Sequence, residues 1–271
     1  MRTATRVLVA GFYLLLVFGP FYWILVSSLK PAAEVIQVPP TLFPREWSLE
    51  HYQKLFASTD YPRYVANSAW VALVSAAISV VLAFLAAYAL FRLSFAGKQL
   101  WFRLILGVYV FPSILLIVPL YGLFADLRLL NSHWALIVVN VTFIVPFAVW
   151  LLRAFMESIP KELEEAAFLD GASWLVSMVR VTLPLAAPGL ASAATYAFVY
   201  AWTEFPFASA FILQDVKRTL PVGLSAIIGQ YQIDWGLLAA GAVVMIAPGV
   251  VFFALVGRFF VSGLTGGALK E

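Results

Sequence analysis

Residues 67–91 read NSAWVALVSAAISVVLAFLAAYALF, 25 consecutive positions without a charge, closed by Arg92. A helix of about 20 apolar residues crosses a hydrocarbon core of about 30 Å, so this stretch is long enough to span a bilayer. It shows no strict alternation of polar and apolar residues, the mark of a barrel strand. Five further stretches repeat the pattern: 7–29, 104–125, 134–152, 186–213 and 237–260. The sequence therefore predicts an all-α integral membrane protein, with six transmembrane helices in a single domain over residues 1–271.

Composition agrees. Of 271 residues, 63% are hydrophobic and 11% charged, where a soluble domain is nearer half and a quarter. A folded surface needs more polar cover than this, which excludes a soluble globular domain and a disordered chain. A net charge of +3 spread over the loops is too dilute for a nucleic-acid surface. No cysteine is present, which excludes thiol chemistry and disulfides. His51 and His133 are too few for a multi-histidine metal centre. Arg2 and Arg6 precede the first apolar run as in a signal peptide. That run is about 22 residues, against 7–15 for a signal core, and no small-residue cleavage site ends it, so it reads as a retained span.

Lysine and arginine set the orientation. With the N-terminus inside, ten fall on the cytoplasmic side (Arg2, Arg6, Arg92, Lys98, Arg103, Arg153, Lys161, Arg180, Arg258, Lys270) and seven outside. Both termini are expected in the cytoplasm, with extracytoplasmic loops at 30–66 and 214–236 and a cytoplasmic loop at 153–185. Pro20, Pro112, Pro119, Pro146, Pro206 and Pro248 interrupt the spans, each removing a helix hydrogen bond.

The cytoplasmic loop holds SIPKELEEAAFLDGA at 158–172. Ser158 is placed to cap a helix, Pro160 to sit in its first turn, Glu162, Glu164 and Glu165 to face its positive end, and Gly171 to stop it. At helical spacing Leu163, Ala166, Ala167 and Asp170 share one side, and Phe168 and Leu169 the other. A helix of about ten residues is marginal alone in water. It either docks into a partner or lies along its own bundle, and the residues leave both readings open.

Residues 165–184, EAAFLDGASWLVSMVRVTLP, carry a spaced motif: E-A-A, three residues, G, nine residues, an aliphatic position, one residue, L-P. Glu165, Ala166, Ala167, Gly171, Leu183 and Pro184 match it, with Val181 where Ile is usual. This resembles the EAA motif of binding-protein-dependent ABC importer permeases. Ser28-Leu-Lys-Pro31, Pro39-Pro40, Asn67-Ser68, Trp202-Thr-Glu-Phe205, Thr219-Leu-Pro-Val-Gly223 and the tail Gly263–Lys270 extend the resemblance over nearly the whole chain. They are similar to the smaller permease subunit of maltose- and trehalose-type sugar importers, with Thr203 where that subfamily often has Asn.

The resemblance implies a type I ABC importer permease fold in a prokaryotic inner membrane. It implies a homologous second permease, two ATPase subunits and an extracytoplasmic sugar-binding protein as partners, and a di- or oligosaccharide cargo. Glu164, Glu165, Ala166, Ala167, Phe168, Asp170 and Gly171 would then couple to an ATPase subunit. Gln230, Tyr231, Gln232 and Trp235 are the suitable side chains for contact with the binding protein. The chain itself binds no cofactor: Gly97-Lys98-Gln99 lacks the upstream Gly and following Ser/Thr of a phosphate loop, so ATP and Mg belong to the partners. No catalytic or metal-binding set is visible, and the chain is not an enzyme.

Glu204 lies in an apolar run and is a candidate pathway residue by default. It is open to three readings: pathway lining, an internal pairing, or a proton carrier in an ion-coupled secondary transporter. The last is the alternative function, disfavoured by the lack of two related halves. Trp47, His51 and Tyr52 read as packing residues of the outer loop, and His133 as an interfacial residue beside Trp134.

Overall fold

The computed structural model describes the backbone of residues 2–228 and 233–268, and the side chains of 5–228 and 233–254. The chain is helical: α1 (Arg2–Ser28), α2 (Ala32–Val35), α3 (Glu50–Ala57), α4 (Tyr61–Arg92), α5 (Lys98–Gly107), α6 (Ile117–Asp126), α7 (His133–Ser158), α8 (Glu162–Leu169), α9 (Trp174–Ser177), α10 (Leu183–Leu185), α11 (Ala187–Trp202), α12 (Pro206–Phe211), α13 (Leu220–Ser225) and α14 (Trp235–Ala268). Among the described residues the one extended pairing is an isolated bridge between Ile228 and Ile233.

Among the described residues, four helical stretches are long and apolar enough to cross a membrane: Thr5–Ser28 of α1, α4, α7, and Trp235–Ala254 of α14. Two further pairs qualify only if each is one broken span. Lys98–Val110 meets Ser113–Asp126 at 85°, and Trp174–Leu185 meets Ala187–Trp202 at 75°. The expected third run, 104–125, is thus not straight. Its bend falls at Phe111–Pro112, where both residues are extended, because the residue before a proline is driven out of the helical region. The expected fifth run, 186–213, is also corrected. The helix ends at Trp202, the broken pair begins at Trp174, and residues 206–211 form the separate helix α12.

The prolines divide into two groups. Pro20, Pro146 and Pro248 lie inside continuous helices. Pro206 opens α12 and Pro119 lies in the first turn of α6, where the missing N–H costs no helix bond. Helix α7 also runs beyond the expected 152 to Ser158. Ser158 is therefore not the N-cap expected of it; its hydroxyl donates to Phe155 O at 2.8 Å, inside the last turn of α7.

The chain forms two compact units. One comprises residues 1–65 and 220–248. Its loop 30–57 is built around buried polar groups. Lys30, 1% exposed, donates to Thr41 O at 2.5 Å and stands over the Trp23 ring. The Glu34 carboxylate accepts from the Thr41 hydroxyl at 2.5 Å and from the Arg45 amide. The Thr41 bond, outweighing desolvation, holds this carboxyl below the usual glutamate range. His51 is buried with Nε2 3.0 Å from Lys30 O, and Tyr52 shares a hydroxyl bond with Ser28 at 2.8 Å, both as packing residues should. Trp47 is not one of them: its ring is exposed.

The other unit comprises residues 66–219 and 249–271. Its core joins Ala83, Phe84, Ala87 and Tyr88 of α4 to Ala148, Val149, Leu152 and Met156 of α7, with Phe102, Met178, Ala186 and Ala193 around them. Helices α7 and α11 are the principal packed pair. Helix α11 buries the small residues Gly189, Ser192, Ala193, Thr195, Ala197 and Ala201, which let helix backbones approach closely in lipid, together with the large Phe198 and Trp202 near its C-terminal end.

Candidate functional site

Helix α8 is short and closed at both ends by local chemistry. Three acids, Glu162, Glu164 and Glu165, occupy its first turn, where unpaired amides favour negative charge. At the other end Gly171 takes φ +84°, the left-handed conformation that suits glycine. The Gly171 amide then donates to Phe168 O at 3.0 Å and the Ala172 amide to Ala167 O at 2.9 Å, a paired termination that satisfies two carbonyls. Two residues later Ser173 caps α9, accepting from the Val176 amide. The stop expected at Gly171 is where the helix stops.

One side of α8 is tied to its own unit. Glu164 is buried, and its Oε2 lies 2.8 Å from Arg92 Nη2 and 2.9 Å from Arg92 Nε. Its Oε1 accepts from the Thr182 hydroxyl, at the end of a wide-turn helical segment Met178–Thr182. Arg92 closes α4, and its Nη1 also donates to Ile159 O at 2.7 Å and Met156 O at 3.3 Å, at the C-terminal end of α7. A cation there meets the negative end of the helix dipole. Glu164, one of the residues expected to couple to an ATPase subunit, is thus buried and bonded within its own unit.

The remaining residues of the set face outward. Glu165, Ala166, Phe168, Asp170 and Gly171 are exposed and Ala167 is half-buried. Leu169 is 90% exposed, with Leu163, Trp174 and Leu175 also open around it. Leu169 therefore stands clear of the rest of the described unit, while Leu163 and Phe168 are only partly covered.

The outer candidates lie in the first unit. Gln230, Tyr231 and Gln232 fall outside the described residues. Trp235 opens α14 and is exposed, lining a cavity of about 630 Å³ with Lys54, Asp60, Tyr61, Tyr64 and Asp234. Asp234 caps α14 by accepting from the Leu237 amide at 2.9 Å and pairs with Lys54 at 2.6 Å. Partial burial raises its carboxyl, but the Lys54 and Leu237 bonds and the nearby Lys54 and His51 charges outweigh this and hold it below the usual aspartate range. Gly236 is needed beside it, since a Cβ there would stand 2.0 Å from the His51 ring.

Glu204 lies in the break between α11 and α12. Its two oxygens accept from the Phe207 amide at 2.7 Å and the Ala208 amide at 2.9 Å, the free amides of a helix that starts with proline. The carboxylate is thus engaged as a helix cap, and Thr203 beside it bonds back to Val199 O at 2.8 Å. Asn131 was not singled out from the sequence. At φ 56° its side-chain oxygen accepts from the Leu213 and Gln214 amides, and its carbonyl from Lys217 Nζ. His133, expected at an interface, lies 2.9 Å from Lys217 O in the same cluster.

Residues 79–261 match the family of binding-protein-dependent transport system inner membrane components. The inner membrane ABC transporter permease protein YcjP of Escherichia coli (strain K12) is 40% identical, over 99% of this chain and 98% of that protein. The trehalose transport system permease protein SugB of Mycobacterium tuberculosis (strain CDC 1551 / Oshkosh) is 37% identical, over 97% and 94%. A chain of a bacterial ABC transporter involved in the import of the acidic polysaccharide alginate shares the fold, with TM-score 0.85 at 22% identity, over 95% of this chain and 96% of that one. With its helices fit to cross a bilayer, its outward-facing α8 and these relatives, this chain is a multi-pass inner membrane protein of the binding-protein-dependent transport family, a non-catalytic ABC transporter permease.

Proposed function

We propose that the chain is the smaller permease of an ATP-driven sugar importer for di- or oligosaccharides. It has six spans, counting each bent pair as one, and both termini are cytoplasmic. The partners are a homologous second permease, two ATPase subunits that carry ATP and Mg, and an extracytoplasmic sugar-binding protein. The trehalose permease relative supports the cargo class.

Helix α8 seats in a cleft of an ATPase subunit. The observation that carries this reading is Leu169, almost fully exposed on a helix too short to stand alone, with Phe168, Leu163 and Trp174 open around it. Closure of the ATPase dimer displaces α8, and the bundle swings from inward-facing to outward-facing. The segment 214–236 meets the binding protein, with Trp235 and its cavity as the described part of that surface; the other candidate contacts, Gln230, Tyr231 and Gln232, lie outside the described residues. Glu204 shapes the break above α12 and carries no proton.

The test is purification with the partner subunits and reconstitution into proteoliposomes. Wild type is expected to retain the ATPase subunits and take up, on ATP, the sugars that a ligand screen finds on the binding protein. Leu169→Asp or a bulky substitution at Glu165 is expected to lose the ATPase or uncouple it from uptake. Unchanged uptake by both variants would remove α8 from the docking role. Uptake without ATPase subunits that collapses with the proton gradient would favour a secondary transporter.

A further inference from the structure

The contacts of Glu164 do more than bury an acid. Helix α8 joins its neighbours through two short linkers, Ile159–Lys161 before it and Asp170–Ser173 after it. Short linkers alone would let an eight-residue helix tilt when pushed. A third, non-covalent connection prevents that. Both Nε and Nη2 of Arg92 converge on one oxygen of Glu164, and the other oxygen holds Thr182. The Arg92 side chain is 2% exposed and that of Glu164 9%. Charge-assisted bonds shielded this well are short and directional, and separating them exposes two charges to a dry site.

The geometry also fixes what is joined to what. Arg92 is the last residue of α4, whose preceding turn places the Tyr88 ring 5.6 Å from Trp174 of α9. Helix α4 thus holds the segment on both sides of the Gly171 stop, by an ion pair to α8 before it and by an edge-to-face ring contact to α9 after it. The remaining N–H groups of Arg92 grip carbonyls at Met156, Ile159 and Pro160, so the corner between α7 and α8 is held by the same guanidinium.

We propose that Arg92 and Glu164 form a strut that makes α8 and α4 one rigid body, so that displacement of α8 is delivered to α4 rather than absorbed in the linkers. Both are positioning residues for gating and neither touches the ATPase. The proposal rests on α8 being the element that the ATPase moves.

The chain contains no cysteine, so it adds no background label of its own, and cysteines of the partner subunits are replaced before labelling. Glu162→Cys on α8 and Leu85→Cys on α4, both exposed, take spin labels in the full complex with its second permease and ATPase subunits. The distance between the labels is expected to be the same in the nucleotide-free and the ATP–vanadate-trapped complex. Glu164→Gln in that background is expected to shift or broaden the trapped distance, and Arg92→Lys, which keeps the charge but loses the fork, to shift it less. Should Glu164→Gln fail to assemble, Arg92→Lys carries the comparison. A label distance that changes on trapping with the strut intact overturns the proposal, and so does one that stays fixed without it. A fluorophore at Leu169→Cys separates the two levels: equal water exposure with and without the ATPase subunits would mean that α8 is not docked, whatever the strut does.

Discussion

Gly189 of α11 faces the ring of Phe155 of α7 so closely that a Cβ built on the glycine would stand 2.5 Å from Phe155 Cγ and 3.0 Å from its Cβ. The obstructing atoms are at the root of the side chain, where a rotamer change gives little relief. Overpacking of this kind costs about 1–3 kcal/mol. Gly189→Val is therefore expected to lower the melting temperature of the detergent-solubilised protein. Phe155→Ala, itself destabilising, should make the double variant better than the sum of the two. Strict additivity in that cycle would mean that the two helices do not touch there.

Glu204 offers a direct choice between a cap and a carrier. Each charge-assisted bond to an amide is worth about 1.5–3 kcal/mol, so Glu204→Ala should destabilise the protein by at least that order. Glu204→Gln keeps one acceptor and should lose less. As a cap, Gln at this position retains ATP-driven uptake, with no new dependence on the proton gradient. Loss of uptake in Glu204→Gln with unchanged thermal stability would instead assign the carboxylate to the transport path.

The apolar runs made the helices legible because a bilayer leaves so few solutions for a spanning backbone. The run at 67–91 lies inside α4, and 7–29 covers α1 except for its first turn. Hydropathy is blind to direction, however, and the bends at 85° and 75° were not visible in it. The stop at Gly171 was readable since it is a property of one residue, whereas the start at Ser158 was not: a serine serves equally inside a last turn that α7 extends to reach. Arg92 could be read as a charge at a membrane edge but not as the partner of Glu164, 72 positions away. Nothing in local sequence encodes that distance. Only the folded α4, α7 and α8 bring the two together.

Gly171 isolates backbone strain from packing. A Cβ there would meet nothing within 4 Å, so a substitution is penalised by its positive φ alone. The cost for Ala is about 1–2 kcal/mol, and less for Asn, which tolerates the left-handed region. Amide exchange at α8 should accelerate in Gly171→Ala and less in Gly171→Asn, with the rest of the protein unaffected. Equal protection in wild type and both variants would show that the paired termination does not hold the helix end.

Asp234 gives the first unit an acid limb of stability. Its folded carboxyl lies below the usual aspartate value of 3.8, so the group contributes stability at every pH above that value and loses it as pH falls through its folded value. The pair with Lys54 is partly solvated, which screens it to about 0.2–1 kcal/mol. Melting temperature is therefore expected to be flat in this contribution from neutral pH to about pH 5 and to fall below about pH 4. Asp234→Asn should lower the neutral plateau and flatten the acid fall, and Lys54→Met should weaken both features without removing them, because the Leu237 amide still binds the carboxylate at 2.9 Å. An acid limb that is unchanged in Asp234→Asn would transfer that role to another carboxylate, Glu34 being the next in line by its bonds to Thr41 and Arg45.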